Sequence, residues 1–404
     1  MERLISLLGL FVMLSIAYAF SEKRKAIQWR TIISGIILQV VFGLIILKTA
    51  FGRAVFDTAS LAFNAVLSFT NEGSKFLFGN LANPQSIGFV FATMVLPTII
   101  FMSSLMSVLY HMGVMQKVVE VVAKIMMKVM KTSGAESLAA AANIFVGQTE
   151  APLVIKPYVN TMTKSELMCL MTGGMATVAG GVLAAYVGFG IDAGHLLAAS
   201  VMSAPAALVC AKLLVPETEE SETAGMVKVD LPKVSDNVID AAATGATDGL
   251  KLAVNVGAML LAFIALIAML NGMLSWVGGW VGYPNLSFEL LIGYLNAPVA
   301  WLLGVPWEDC LIVGSMLGKK LVLNEFVAYL DLKEAAPQIS QRSAILTTYA
   351  LCGFANFSSI AIQLGGIGTL APGKRGVLSQ YGMRALLGGT LACYMTACIA
   401  GIFI

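Results

Sequence analysis

Asn143-Ile-Phe-Val-Gly-Gln-Thr-Glu-Ala-Pro152 sets two amides, a hydroxyl and a carboxylate between apolar segments of a very hydrophobic chain. A carboxylate at membrane depth is costly, so its default explanation is a functional site. Gly147 and Pro152 flank Glu150 and oppose a continuous helix through it. Broken backbone at that depth must line protein or water. The stretch therefore predicts a tip where two half-helices meet around a polar solute, and Asn324-Glu325-Phe326 offers a second carboxylate in an apolar setting.

The composition sets the class around this stretch. Of 404 residues, 58% are hydrophobic and 12% charged, with mean hydropathy +0.84. A soluble domain carries about twice that charge, roughly 25%. Many segments approach the ~20 apolar residues that cross a ~30 Å hydrocarbon core. The net charge of +2 gives no electrostatic case for nucleic acid. Cys169, Cys210, Cys310, Cys352, Cys393 and Cys398 are scattered through apolar segments without a CxxC pair, and read as small buried hydrophobes. His111 and His195 lie near predicted span ends, which leaves no histidine-based metal site.

Spans are expected at 3–20, 31–50, 88–110 (with a kink at Pro97), 166–188, 193–214, 240–274, 343–368 and 385–404. The basic cluster Glu22-Lys-Arg-Lys25 follows the first apolar run, whereas a signal peptide has its charge before it. By the positive-inside rule this cluster faces the cytoplasm. Residues 51–84 are too polar to span and read as interfacial, and 116–131 carry four lysines at helical spacing on an amphipathic surface helix. Residues 133–157 are interrupted in the middle and have basic residues at both ends, up to Lys131 before and Lys156 and Lys164 after, which predicts a re-entrant hairpin entering and leaving on the cytoplasmic side, with a true span as the alternative. Residues 308–331 repeat the pattern around Glu325, where Lys319 and Lys320 require acidic partners or a route to the interface. Trp276, Trp280 and Tyr283 mark an interface belt, and 286–304 an apolar helix embedded in or lying on the membrane.

Twice, then, the chain runs from an acidic interrupted hairpin to a span interrupted by small or polar residues, at Thr172–Gly181 and at Gly353–Ser359. Three spans lie between the hairpins, and an odd number inverts the second relative to the first. Paired interrupted segments in corresponding positions point to a transporter's midplane site. The fold class expected is an all-α polytopic membrane protein: about eight transmembrane helices, two oppositely oriented re-entrant hairpins, an inverted-repeat transport core and interfacial helices. The divisions are 1–132 (N-terminal spans and scaffold), 133–215 (first half of the core), 216–240 (a polar cytoplasmic loop), 241–304 (long scaffold helix and interfacial segment) and 305–404 (second half and final span). A channel could use the same materials, but would more naturally show a pore ring repeated by oligomeric symmetry. An intramembrane enzyme needs a nucleophile with a base, and no histidine lies near either motif.

Asn143–Pro152, Asn324-Glu-Phe-Val-Ala-Tyr329 and Gly353-Phe-Ala-Asn-Phe-Ser-Ser359 closely resemble the signatures of concentrative nucleoside transporters, in the eight-span bacterial form. The resemblance runs over essentially the whole chain. It implies a homotrimer in the bacterial inner membrane whose protomers import nucleosides by an elevator-like motion, without a cofactor, driven by sodium or in some members by protons. It also implies roles: Gln148 and Thr149 on the nucleobase edge, Glu150 through water, Val182 and Phe354 packing on base and sugar, and Glu325, Asn356 and Ser359 on the ribose hydroxyls. Sodium would take oxygens of Asn143, Val146 (backbone), Thr177 and Val178 (backbone). Thr177 stands where a close family pattern has serine and keeps the hydroxyl, leaving proton coupling open. Each residue also has a plainer reading: Glu150 as partner of a membrane lysine, Asn143, Asn324 and Asn356 as links between helices, Thr177 and Ser359 bonded to their own helices, Phe354 as core.

Overall fold

The computed structural model describes residues 1–88, 90–225, 235–280 and 282–404. Part of the 216–240 loop thus lies outside the described residues. Among the described residues all regular structure is helical. Seven helices or helix pairs among the described residues have the length and hydropathy to cross a membrane: Glu2–Ala19, Trp29–Lys48, Phe91–His111, Lys164–Gly188, Ala193–Leu214, Val238–Trp280 and Pro372–Phe403. The eighth expected span, 343–368, is divided into Gln341–Leu351 and Phe357–Leu370. Neither half is long enough alone, and the interruption read in the sequence is the reason.

Three boundaries differ from the sequence reading. Pro97 starts a helix rather than kinking one: it sits in the first turn of Leu96–His111, where its missing N–H costs nothing, and the chain breaks at Val95 instead. The last helix begins at Arg375, ten residues before the apolar run, because Arg384 finds Glu22 at 2.5 Å and is satisfied within the fold. The long helix Val238–Trp280 extends the expected 240–274 to 43 residues. At ~1.5 Å per residue it measures about 65 Å, twice the hydrocarbon core, so it must run obliquely or project from the membrane.

That long helix packs on Leu96–His111 through small residues. A Cβ on Gly245 would lie 2.6 Å from the Ser103 carbonyl oxygen, and one on Gly249 2.8 Å from Ile100 Cα. This small-xxx-small contact brings the backbones together, and the Ser104 hydroxyl donates to the Ala242 carbonyl at 2.9 Å. Much of the remaining surface of the long helix is exposed and apolar, broken by the exposed Asp248–Lys251 pair.

Both hairpins form. The first runs from Gly134–Ala142 through the irregular stretch 143–150 to the short helix Ala151–Val154. The second pairs Cys310–Val322 with Glu325–Ala335. Ser133 and Glu136 make a capping box at the start of the first hairpin, and Thr163 and Glu166 make one at the start of Lys164–Ala176. Lys212, buried, pairs with Glu136 at 2.7 Å and with Glu217 at 3.3 Å, so that end of the first half is held by a closed polar network.

The lysines of the second hairpin are accounted for. Lys319 lies 3.1 Å from Glu289 and 2.7 Å from Asp331, tying the hairpin to Phe288–Leu302. Lys320 donates to the Ala350 carbonyl at 2.8 Å.

Candidate functional site

The two interrupted spans touch at their interruptions. Lys164–Ala176 ends at Thr177 and resumes at Gly180, while Gln341–Leu351 ends at Cys352 and resumes at Phe357. The Phe354 N–H donates to the Thr177 carbonyl at 3.3 Å. Only glycine fits at 353, where a Cβ would stand 2.6 Å from Cys393 Sγ and 2.8 Å from the Met175 carbonyl oxygen. Each break frees backbone groups that a continuous helix would consume, and the crossing brings both sets to one place.

The second hairpin delivers a carboxylate to this crossing. Asn324 caps the helix that begins at Glu325, its side chain accepting the Val327 N–H at 3.0 Å. Glu325 is buried, 3% exposed, and its two oxygens have different donors. The Tyr186 hydroxyl donates to Oε1 at 3.0 Å and the Asn356 amide to Oε2 at 3.0 Å. Asn356 also caps the next helix, accepting the Ser359 N–H at 2.9 Å, so its amide can present only its nitrogen to Glu325. For Asn324 the plainer reading as a link between helices gives way to capping, whereas Asn356 does both: it caps its own helix and links it to the helix of Glu325.

The first hairpin delivers an amide. Gln148 is buried and donates to Ser359 Oγ at 3.0 Å. Thr149 and Glu150 are exposed, with the Thr149 methyl 3.6 Å from the place of a Cβ on Gly366. The Glu150 carboxylate folds back to its own tip, within 2.5 Å of the place of a Cβ on Gly147. The ion-pair reading of Glu150 finds no support, since Lys212, Lys319 and Lys320 have other partners. Val182 is buried one turn before Tyr186, on the helix face that reaches Glu325. Phe354 is half-buried, and its position is fixed by its backbone.

Asn143 ends the first hairpin helix, 1% exposed, with neither amide atom hydrogen-bonded. A buried amide left unpaired costs about 1–3 kcal/mol per group and asks for a partner. Gly173 makes room for it: a Cβ there would lie 2.9 Å from Asn143 Nδ2. The Thr177 hydroxyl donates to the Gly173 carbonyl at 2.9 Å, the helix-bonded reading, and its oxygen keeps accepting capacity. Val146 and Val178 are buried beside these residues in the chain. Among the described residues no cluster of three or more His, Cys, Asp or Glu could hold a metal. Amide, hydroxyl and carbonyl oxygens suit a hard cation of low charge.

The sequence reading missed two contributors. Tyr186 orients Glu325, and Gln363 bonds Gln148 at 3.1 Å. Tyr186 had no signal beyond its apolar neighbours. Gln363 did: Asn356, Ser359 and Gln363 fall at i, i+3 and i+7 on one face of an apolar helix.

Three family models cover nearly the whole chain: Na+ dependent nucleoside transporter N-terminus over residues 8–81, nucleoside recognition over 92–193, and Na+ dependent nucleoside transporter C-terminus over 195–401. An uncharacterized transporter of Bacillus subtilis, YutK, is 49% identical over 100% of both chains. The human sodium/nucleoside cotransporter 1 is 45% identical over 99% of this chain and 64% of its own length. CNTnw in an inward-facing substrate-bound state superposes with TM-score 0.95 at 47% identity, covering 100% of this chain and 98% of that one. A doubly substituted CNTnw in an outward-facing state gives TM-score 0.95 at 46% identity, with the same coverage.

Proposed function

Because the chain belongs to the Na+-dependent nucleoside transporter family, a multi-pass membrane transporter and not an enzyme, we propose that it imports nucleosides as a sodium-driven symporter. The observation that supports this most is the crossing of two broken spans beside a buried carboxylate whose oxygens have fixed, separate donors. Glu325 accepts from the vicinal ribose hydroxyls, oriented by Tyr186 and Asn356. Ser359 and Asn356 extend this polar surface, and Phe354 and Val182 supply apolar contact. Gln148 and Thr149 meet the nucleobase edge, and Glu150 assists through water. Asn143 and Thr177 offer side-chain oxygens to sodium, with the backbone oxygens of Val146 and Val178.

Movement follows an elevator in this reading. The divisions 133–215 and 305–404, apart from the final span, supply the moving core, while 1–132 and 241–304 supply the frame. The buried interlock of hairpins and broken spans favours a unit that travels as one body, and the exposed apolar face of Val238–Trp280 suits a frame in a homotrimer. The membrane is the bacterial inner membrane. A proton-coupled variant is the second reading, favoured by Glu150 standing exposed with no ion pair to a lysine among the described residues.

Uptake of labelled uridine into sealed proteoliposomes tests the proposal. Accumulation driven by a sodium gradient alone is the expected result. Accumulation driven by protons alone would move the coupling to Glu150, and none under either gradient would overturn the symporter.

A further inference from the structure

Gln363 is 1% exposed in an apolar helix, and its contacts form a chain with a fixed direction. Its Nε2 lies 2.9 Å from the Met171 carbonyl oxygen and 3.1 Å from Gln148 Oε1. A backbone carbonyl can only accept, so the nitrogen of Gln363 must face Met171, and its second hydrogen goes to Gln148. The amide of Gln148 is then oriented as well, with its oxygen toward Gln363 and its nitrogen toward Ser359 Oγ at 3.0 Å. One acceptor-only atom in the first half thereby sets the polarity of a side chain at the tip of the first hairpin. The arrangement leaves Gln363 Oε1 buried without a partner, a cost borne to keep the nitrogen pointed this way. Gly174 leaves no slack, since a Cβ there would stand 2.8 Å from both Gln148 Cβ and Gln363 Nε2.

We propose that Gln363 is a positioning residue that locks the Gln148 amide so that the one N–H not given to Ser359 faces the solute, and the site selects bases offering a carbonyl oxygen over bases offering an amino group. The inference rests on the reading of Gln148 as a base-facing group. Uracil and cytosine differ in this respect at one ring position, an oxygen acceptor against an N–H₂ donor, and they share the sugar. A fixed donor rewards the first and opposes the second, and a buried polar group left unpaired is what gives such discrimination its size.

The test is the ratio of uridine to cytidine transport efficiency in proteoliposomes, for the wild-type protein, Gln363→Met and Gln148→Ala. The wild type is expected to prefer uridine, and Gln363→Met to bring the ratio toward unity by roughly fivefold to tenfold, the worth of one hydrogen bond. A role in folding alone would lower both rates and leave the ratio where it was. Gln363→Asn, one methylene too short to span both acceptors, makes the same test if the methionine variant fails to fold. No wild-type preference for uridine would overturn the inference. So would an unchanged ratio in the Gln363 variants when Gln148→Ala shifts it, with the base-facing reading of Gln148 intact. An unchanged ratio in Gln148→Ala too would overturn that reading along with the inference.

Discussion

The tips of the two hairpins begin from the same sequence signal, an acid in an interrupted apolar run, and reach opposite physical states. Glu325 is buried, begins a helix of 11 residues, and has a donor on each oxygen. Glu150 is exposed, sits in irregular backbone, and is followed by a helix of only 4 residues. The local sequence explains the contrast. Asn324 caps and starts a regular helix at the acid itself, whereas Glu150 stands at the N-cap of a four-residue helix and makes no side-chain cap bond to it. A carboxylate held by helix and donors is preorganised for one ligand geometry, while an exposed one suits contacts made through water or in response to charge. The first half accordingly has the adaptable tip and the second half the rigid one.

Variants can break this contrast, and the largest effect should come from the rigid side. Glu325→Ala removes the acceptor for Tyr186 and Asn356 together with that for the sugar. With hydrogen bonds to charged groups worth about 1.5–3 kcal/mol each, uridine uptake efficiency should fall at least ~100-fold while the size-exclusion profile is kept. Near-normal uptake would dissolve the contrast. On the adaptable side, Asn143→Ala should raise the sodium concentration for half-maximal uptake about tenfold and spare the maximal rate at saturating sodium, because it removes one oxygen of several. An unchanged sodium dependence would remove Asn143 from the cation site. Glu150→Gln keeps shape and accepting oxygen, so uptake should drop only about fivefold. Tyr186→Phe should cost least, a twofold to threefold rise in uridine KM, since Asn356 still orients the carboxylate. A loss as large as that of Glu325→Ala would make Tyr186 part of the binding surface itself.

Much of this could be read before any coordinates. The interruptions at Thr172–Gly181 and Gly353–Ser359 were visible because glycine, serine and asparagine stand out in apolar runs, and both became real breaks. That the breaks cross each other was not visible, since no local signal records that Phe354 meets Thr177 across 177 residues of chain. Lys319 looked anomalous and proved to be paired with Glu289 and Asp331, partners that only tertiary packing brings near. The capping by Asn324 and Asn356 was hidden because it depends on where each helix starts, while the link Asn356 makes to the helix of Glu325 was within the plainer reading. Tyr186 could not be singled out among apolar neighbours, whereas the stripe of Asn356, Ser359 and Gln363 could have been.

The most direct test of a rigid sugar-holding half and an adaptable half crosses substrate with protein. Uptake efficiency of uridine, 2′-deoxyuridine and 3′-deoxyuridine would be measured for the wild type, Glu325→Gln and Glu150→Gln. The account predicts that each missing hydroxyl costs the wild type and Glu150→Gln about tenfold, and costs Glu325→Gln almost nothing further, because the partner of that hydroxyl is already impaired. Full deoxy penalties in Glu325→Gln, or their loss in Glu150→Gln, would contradict it.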